Sequence, residues 1–214
     1  MTSQVTMDDR VHVVDHPLVQ DRMAKIRSAG TNSADMRRYV DDVTRLLLTE
    51  ALRTLPTSPI EVHTPLERME GQVITAKVGL VPILRAGLGM ITAAQQFLPE
   101  ASVLHLGLKR DEETLEPIAY YNKLPTPPLV SEAIILDPML ATGGTACEAC
   151  VQLRDSGIHR LQFVGLVASP MGLQTLLDAE PNITVILAAI DRELDERGFI
   201  LPGLGDAGDR LFGT

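Results

Sequence analysis

The chain has 214 residues, 45% of them hydrophobic, enough for one sizeable core. Nineteen Lys and Arg against 28 Asp and Glu leave a net charge of −9, which excludes a broad basic footprint for nucleic acid or anionic lipid. With no Trp, three Tyr and four Phe, an extended base-stacking platform is excluded as well, so any phosphate site must be local.

Met1 to Arg10 is polar, carries Asp8 and Asp9, and lacks the basic-then-apolar pattern of a signal peptide. The longest apolar runs, Val78 to Leu84 and Val185 to Ile190, fall short of a membrane span. The expectation is a mature start at this terminus, no membrane association and a cytoplasmic location.

Leu18 to Ser28 reads as a helix ended by Gly30, and Thr31-Asn32-Ser33 caps a second one. Met36, Val40, Val43, Leu47 and Ala51 then recur at helical spacing, so this helix lays one face on the core as scaffold. Pro56 to Pro65 places three prolines around Ile60 and Val62, the pattern of an edge strand or a bent arm.

From Val78 onward, continuous apolar strands alternate with helices, the mark of a parallel sheet covered on both faces. Five strands are predicted, Val78 to Leu84, Val103 to Leu108, Ala133 to Leu136, Gln162 to Val167 and Thr184 to Ala189, with helices near Leu88 to Gln96, Thr145 to Ser156 and Met171 to Ala179. Lys109 to Pro128 is too long for a simple turn, and Thr114 to Lys123, with Tyr120 and Tyr121, reads as a hairpin flap over a site. The fold class is therefore α/β, an open, mainly parallel five-stranded sheet flanked by helices, in a single domain over 1–214. Helices occupy 15–55, the core 73–190, the flap 109–128 and a tail 191–214.

In such sheets ligands bind beyond the carboxyl ends of the strands, and four motifs fall there. Pro82-Ile83-Leu84-Arg85-Ala86-Gly87-Leu88-Gly89 offers backbone amides and one guanidinium, suited to a diphosphate; alone it reads equally as a Gly-rich turn with a surface arginine. Lys109-Arg110-Asp111-Glu112-Glu113-Thr114 is by composition a solvated cluster, but its place on the flap lets Arg110 close on a leaving group. Ala133-Ile134-Ile135-Leu136 runs into Asp137-Pro138-Met139-Leu140-Ala141-Thr142-Gly143-Gly144-Thr145 and then a helix, a phosphate-binding strand-loop-helix. Asp137 would repel phosphate and so addresses ribose hydroxyls or a metal ion, which suits a phosphorylated sugar.

The tail, Phe199-Ile200-Leu201-Pro202-Gly203-Leu204-Gly205-Asp206-Ala207-Gly208-Asp209-Arg210, contains a formal G-x-G-x-x-G with too little chain after it for a dinucleotide fold. Its Pro-Gly punctuation and flanking Phe199, Leu211 and Phe212 suggest a packed loop that presents backbone groups to a flat polar ligand. Cys147 and Cys150 form a C-x-x-C without a second ligand pair and read as helix packing. The five histidines show no metal-type spacing, and His105 falls inside a predicted strand. No nucleophile elbow or Walker lysine is present, so the chemistry rests on positioning and electrostatics.

Together, D-P-M-L-A-T-G-G-T, V-P-I-L-R-A-G-L-G, K-R-D-E-E-T-L-E-P and P-G-L-G-D-A-G-D-R-L-F-G-T resemble the uracil phosphoribosyltransferases, a branch of the type I phosphoribosyltransferases, over at least His16 to Thr214. The resemblance implies conversion of uracil and phosphoribosyl diphosphate to UMP and diphosphate with Mg2+, in pyrimidine salvage. It assigns Asp137, Pro138, Met139, Leu140, Ala141, Thr142, Gly143, Gly144 and Thr145 to the ribose and 5-phosphate, and Arg85 and Arg110 to the diphosphate. Ile200, Gly205 and Ala207 would hold uracil through their backbones under a C-terminal hood. Asp206 would stand between base and diphosphate, reaching the metal through water, so that Arg110, Asp137 and Asp206 form the catalytic set. A homodimer or higher homo-oligomer, and GTP as an allosteric activator, are implied by the resemblance alone. Phe199 replaces a frequent Tyr of the family, and Lys109 a frequent aromatic. The alternatives are a phosphoribosyltransferase for another base, which would not need this tail, and an RNA-binding regulator on the same fold, against which the charge of −9 counts.

Overall fold

The computed structural model describes residues 8–110 and 117–214, with the backbone alone for Lys109, Arg110 and Pro117. β1 (Val11–Val13) leads into α1 (Pro17–Arg27), which opens on a proline and on His16, whose Nδ1 accepts from the Leu18 amide. α2 (Ser33–Ala51) is capped by Asn32, whose side-chain oxygen accepts from Asp35 N at 2.9 Å. Met36, Val40, Val43, Leu47 and Ala51 are all buried, as their spacing predicts.

After a 3-10 turn at Leu52–Thr54, β2 (Thr57–His63) pairs antiparallel with β3 (Arg68–Ile74). Pro56 to Pro65 is thus half of a two-stranded arm that joins no other sheet. The second half escaped the sequence reading because Gly71 interrupts its alternation.

The main sheet follows. Its elements are β4 (Val78–Leu84), α3 (Leu88–Phe97), β5 (Ser102–Val103), β6 (Leu106–Arg110), β7 (Pro117–Asn122), β8 (Glu132–Leu136), β9 (Met139–Leu140), α4 (Gly144–Asp155), β10 (Arg160–Ala168), α5 (Pro170–Ala179) and β11 (Thr184–Ile190). The order β1-β11-β10-β8-β4-β6-β7 is parallel throughout except at β7, which returns antiparallel along β6. The five expected strands form its centre, and β1 and β7 extend it at the two edges. The expected strand 103–108 is interrupted at Leu104 and His105: Leu104 N still bonds Leu80 O at 2.8 Å, but His105 lies exposed in the gap rather than inside a strand. The flap's hairpin is β6 with β7, and its connection 111–116 lies outside the described residues.

All five residues of β8 are buried, because helices cover both faces. Ile134 and Leu136 pack with Met36 and Val40 of α2 and Met90 of α3. Ala133 and Ile135 face Cys150 and Leu153 of α4 and Leu176 of α5. Cys147 and Cys150 are free thiols, and burial pushes that of Cys150 well up, consistent with packing. After β11, the hairpin of β12 (Glu193–Leu194) and β13 (Ile200–Leu201) leads to α6 (Ala207–Phe212). Among the described residues, no helix is long and apolar enough to cross a membrane.

Candidate active site

At the end of β8 the backbone turns outward while staying bonded to β10. Pro138 is buried and its carbonyl accepts from the amides of Leu166 and Val167, both at 3.0 Å, and Leu140 O accepts from Ser169 N at 2.9 Å. Pro138 and Leu140 therefore face inward, and Asp137, Met139, Ala141 and Thr145 line the open side. Gly143, at φ 87°, turns the chain into α4, whose first-turn amides lack intrahelical acceptors and whose dipole favours an anion.

Two supports of this loop carried no local signal. Ser169 caps α5, its Oγ accepting from Gly172 N at 2.9 Å while donating to Ala141 O at 2.5 Å. A Cβ on Gly172 would stand 2.2 Å from Ala141 O and 2.7 Å from Leu140 O, so only glycine lets α5 meet the loop this closely. Burial raises the Asp137 carboxyl to about 7, against the weaker opposing effect of a long bond from Met139 N, 3.5 Å from Oδ1.

Arg85 follows a cis peptide bond from Leu84 at the end of β4 and is exposed. Its Nη2 lies 3.0 Å from Asp209 Oδ1, an oxygen that also accepts from Thr214 Oγ1 at 3.0 Å. The tail thus meets the β4 loop directly.

The tail itself is held by the N-terminal helices. Asp191, just after β11, pairs with Arg27 of α1 through Oδ1 to Nη2 at 2.6 Å and Oδ2 to Nη1 at 2.7 Å. Gly203 N donates to the same Asp191 at 2.8 Å, and Gly203 O accepts from Arg27 at 2.7 Å. Gly203 has φ 62°, and a Cβ there would meet Ile200 O at 2.0 Å. Arg210 donates to the carbonyls of Ile26, Ser28 and Leu204, and Arg37 to that of Leu211. Asp206 caps α6, accepting from Asp209 N at 2.9 Å. Leu211 is fully buried, whereas Phe199 and Phe212 are 40% and 41% exposed and leave the anchoring to polar bonds.

These three segments enclose one cavity of about 430 Å³. Of the residues singled out in the sequence, Arg85, Asp137, Met139, Ala141, Thr145, Ile200 and Asp206 line it. A recess of about 50 Å³ shares Asp137, Met139, Ala141 and Thr145 with it and adds Leu140, Thr142 and Gly143. Gly205 and Ala207 flank Asp206 without lining the cavity, and Pro138 and Gly144 line neither space. The Arg110 side chain lies outside what is described, although β6 places its backbone at the flap and Leu108 lines the cavity. Arg197, Gly198 and Gly208 line it too and were not foreseen. Their signal was position: Arg197 and Gly198 are the two residues before Phe199, and Gly208 stands two residues past Asp206.

The family model for uracil phosphoribosyltransferase matches residues 13–214. A uracil phosphoribosyltransferase of Roseiflexus castenholzii is 47% identical over 205 residues, covering 96% of this chain and 99% of that protein. A solved structure of an Aquifex aeolicus protein superposes with a TM-score of 0.88 at 33% identity, over 95% of this chain and 98% of the other. The adenine phosphoribosyltransferase of Trypanosoma brucei, solved with AMP, pyrophosphate and ribose-5-phosphate, shares the fold at a TM-score of 0.56 and 10% identity, over 88% of this chain and 87% of that one.

Proposed function

The chain belongs to the uracil phosphoribosyltransferase family, and from that membership we propose how its loops divide the transfer of phosphoribose from its 1-diphosphate to uracil. The observation that carries the proposal is the meeting of the Arg85 loop, the 137–145 loop and the tail around one cavity. The 5-phosphate takes the recess at the start of α4, where amides and the Thr145 hydroxyl supply donors. The ribose lies against Asp137, whose ionised form is stabilised when sugar hydroxyls donate to it. Arg85 and, from the flap, Arg110 bind the diphosphate. Uracil lies at the Ile200 and Asp206 side of the cavity, with the backbone of Ile200 and, from either side of Asp206, of Gly205 and Ala207 turned to it when it binds; Arg27, Asp191 and Arg210 fix the shape of this segment.

The family membership implies Mg2+, which would be held together with the diphosphate. Among the described residues no group of three His, Cys, Asp or Glu side chains could hold a metal ion. Asp137 and Asp206 nonetheless both line the cavity, which suits an ion that takes one or two carboxylates plus substrate phosphates. When bound, it offsets charge on the departing diphosphate.

The reaction is a displacement in which the C1–O bond breaks early, the ribose acquires oxocarbenium character, and uracil N1 attacks from the opposite face. Arg85 and Arg110 hold the leaving group, and the tail aligns N1, so rate comes from orientation and fixed charge. Backbone groups matched to uracil O2, N3 and O4 exclude cytosine, whose unprotonated N3 and exocyclic amine reverse the pattern at two of these three positions; a mispaired edge in such a pocket costs about four orders of magnitude.

A cytoplasmic place is supported by the free thiols Cys147 and Cys150 and by the phosphorylated co-substrate. A homo-oligomer is supported by one face of the arm, where Ile60, Val62, Met69 and Val73 lie exposed together. GTP activation and a salvage role rest on the family resemblance. The division of the cavity is tested by Thr145→Val, expected to raise KM for phosphoribosyl diphosphate alone, and Gly205→Val, expected to raise KM for uracil alone. If both variants raise the same constant, the division is wrong.

A further inference from the structure

Four charged side chains line the main cavity: Arg85, Asp137, Arg197 and Asp206. Three have partners or places already described. Arg85 is paired with Asp209, Asp206 caps α6, and Asp137 sits at the end of β8. Arg197 differs, because among the described residues no carboxylate lies within ion-pair distance of its guanidinium. The guanidinium carbon instead stands 5.5 Å from the centroid of the Phe199 ring.

Its place is set by the hairpin. Asp195 Oδ1 accepts from Arg197 N at 2.9 Å and from Phe199 N at 2.8 Å, and Asp195 N donates to Phe199 O at 2.8 Å. These bonds fix the loop between β12 and β13, so the cation is presented to the cavity from the same segment as Phe199 and Ile200. Phe199 has no hydroxyl to offer there, and the stacked cation is the polar group this hairpin brings to the cavity.

We propose that Arg197 is a further substrate-binding residue of the base site, its guanidinium stabilising the negative charge that uracil carries as its N1 proton leaves. In the step, the N1 proton passes to water, the freed N1 electron pair forms the bond to C1 of the ribose, and the C1–O pair departs with the diphosphate. Negative charge at the base is opposed by Asp206, and Arg197 is the cation this hairpin offers to offset it. This assignment rests on the reading that uracil lies against Ile200, Gly205 and Ala207.

The test compares uracil with 5-fluorouracil, a close isostere whose ring protons are more acidic and which needs less help to lose one. In Arg197→Ala, kcat/KM for uracil falls about fivefold, as suits an exposed charge, the fall for 5-fluorouracil is smaller, KM for phosphoribosyl diphosphate is unchanged, and Arg197→Lys recovers most of the loss. Equal losses for the two bases, a change confined to the KM of the diphosphate substrate, or no change would each overturn the proposal. Arg197 is exposed, so thermal unfolding of both variants should match the parent protein. Gly205→Val, measured in parallel, separates the two claims. If it raises KM for uracil while Arg197→Ala is silent, the base site stands and the Arg197 role falls; if neither variant affects uracil, both fall.

Discussion

Arg27 and Asp191, 164 residues apart, form a two-bonded ion pair that also grips Gly203 from both sides, the carboxylate accepting from its amide and the guanidinium donating to its carbonyl. The Asp191 side chain is only 5% exposed, so deleting it strands a half-buried guanidinium and a buried amide. Asp191→Ala should cost about 3 kcal/mol of stability and raise KM for uracil more than KM for phosphoribosyl diphosphate. Asp191→Asn, which keeps an acceptor for Gly203 N, should lose less of both. Thermal unfolding with steady-state kinetics checks this, and equal rises in the two KM values would contradict it.

Burial pushes the Asp137 carboxyl up to about 7, well above the ordinary 3.8 of an aspartate. Between those values the folded protein binds more protons than the unfolded chain, so stability is lost as pH rises from about 4 to about 7 and is level above. Asp137→Asn removes that loss and should raise stability at pH 8 by no more than about 4 kcal/mol, while abolishing turnover. Denaturant unfolding at several pH values would show it. Ribose hydroxyls that donate to the carboxylate lower its pKa, so phosphoribosyl diphosphate should release a proton on binding near pH 7, seen as a dependence of calorimetric enthalpy on the buffer.

Gly172→Ala puts a methyl against the carbonyls of Leu140 and Ala141 and must move the 137–145 loop or α5. A destabilisation of about 1–3 kcal/mol should accompany a raised KM for phosphoribosyl diphosphate, with KM for uracil little altered. Kinetics unchanged beside a lowered melting temperature would mean that the loop adapts.

The Arg85–Asp209 pair is largely exposed and contributes at most about 1 kcal/mol to stability. Arg85→Ala should therefore melt within a degree or two of the parent yet bind phosphoribosyl diphosphate far more weakly. A large fall in melting temperature would recast Arg85 as structural.

What could be read in the sequence was local. The apolar run 133–136 followed by Asp137 and the Gly143-Gly144 pair announces a strand, a turn and a helix N-terminus within 13 residues, and the structure has all three. α2 was equally legible from its cap and stripe. What escaped depends on distant partners. Arg27 reads as an ordinary basic residue in a last helical turn until Asp191 is placed beside it, and Gly172 reads as an ordinary helix glycine until Ala141 O comes within reach. β1 is three residues long and owes its strand to pairing with β11. The interruption at Leu104 and His105 has no counterpart in hydropathy, since the strand on either side keeps one register along β4 and Leu104 N still bonds Leu80 O. The Pro-Gly punctuation and Phe199, Leu211 and Phe212 mark the tail as packed, and Leu211 is buried; the two phenylalanines are not, and the bonds from Arg37 and Arg210, which have no local signal, complete the anchoring.

The most direct measurement is the initial rate at which the protein converts radiolabelled uracil to UMP with phosphoribosyl diphosphate and Mg2+, in the presence of excess cytosine or hypoxanthine, for the parent and for Asp206→Asn. The expected result is UMP formation that requires phosphoribosyl diphosphate, is untouched by either competing base, and collapses in the variant. Competition by cytosine, or an undiminished rate in Asp206→Asn, would contradict a base site built from the tail's backbone beside that carboxylate.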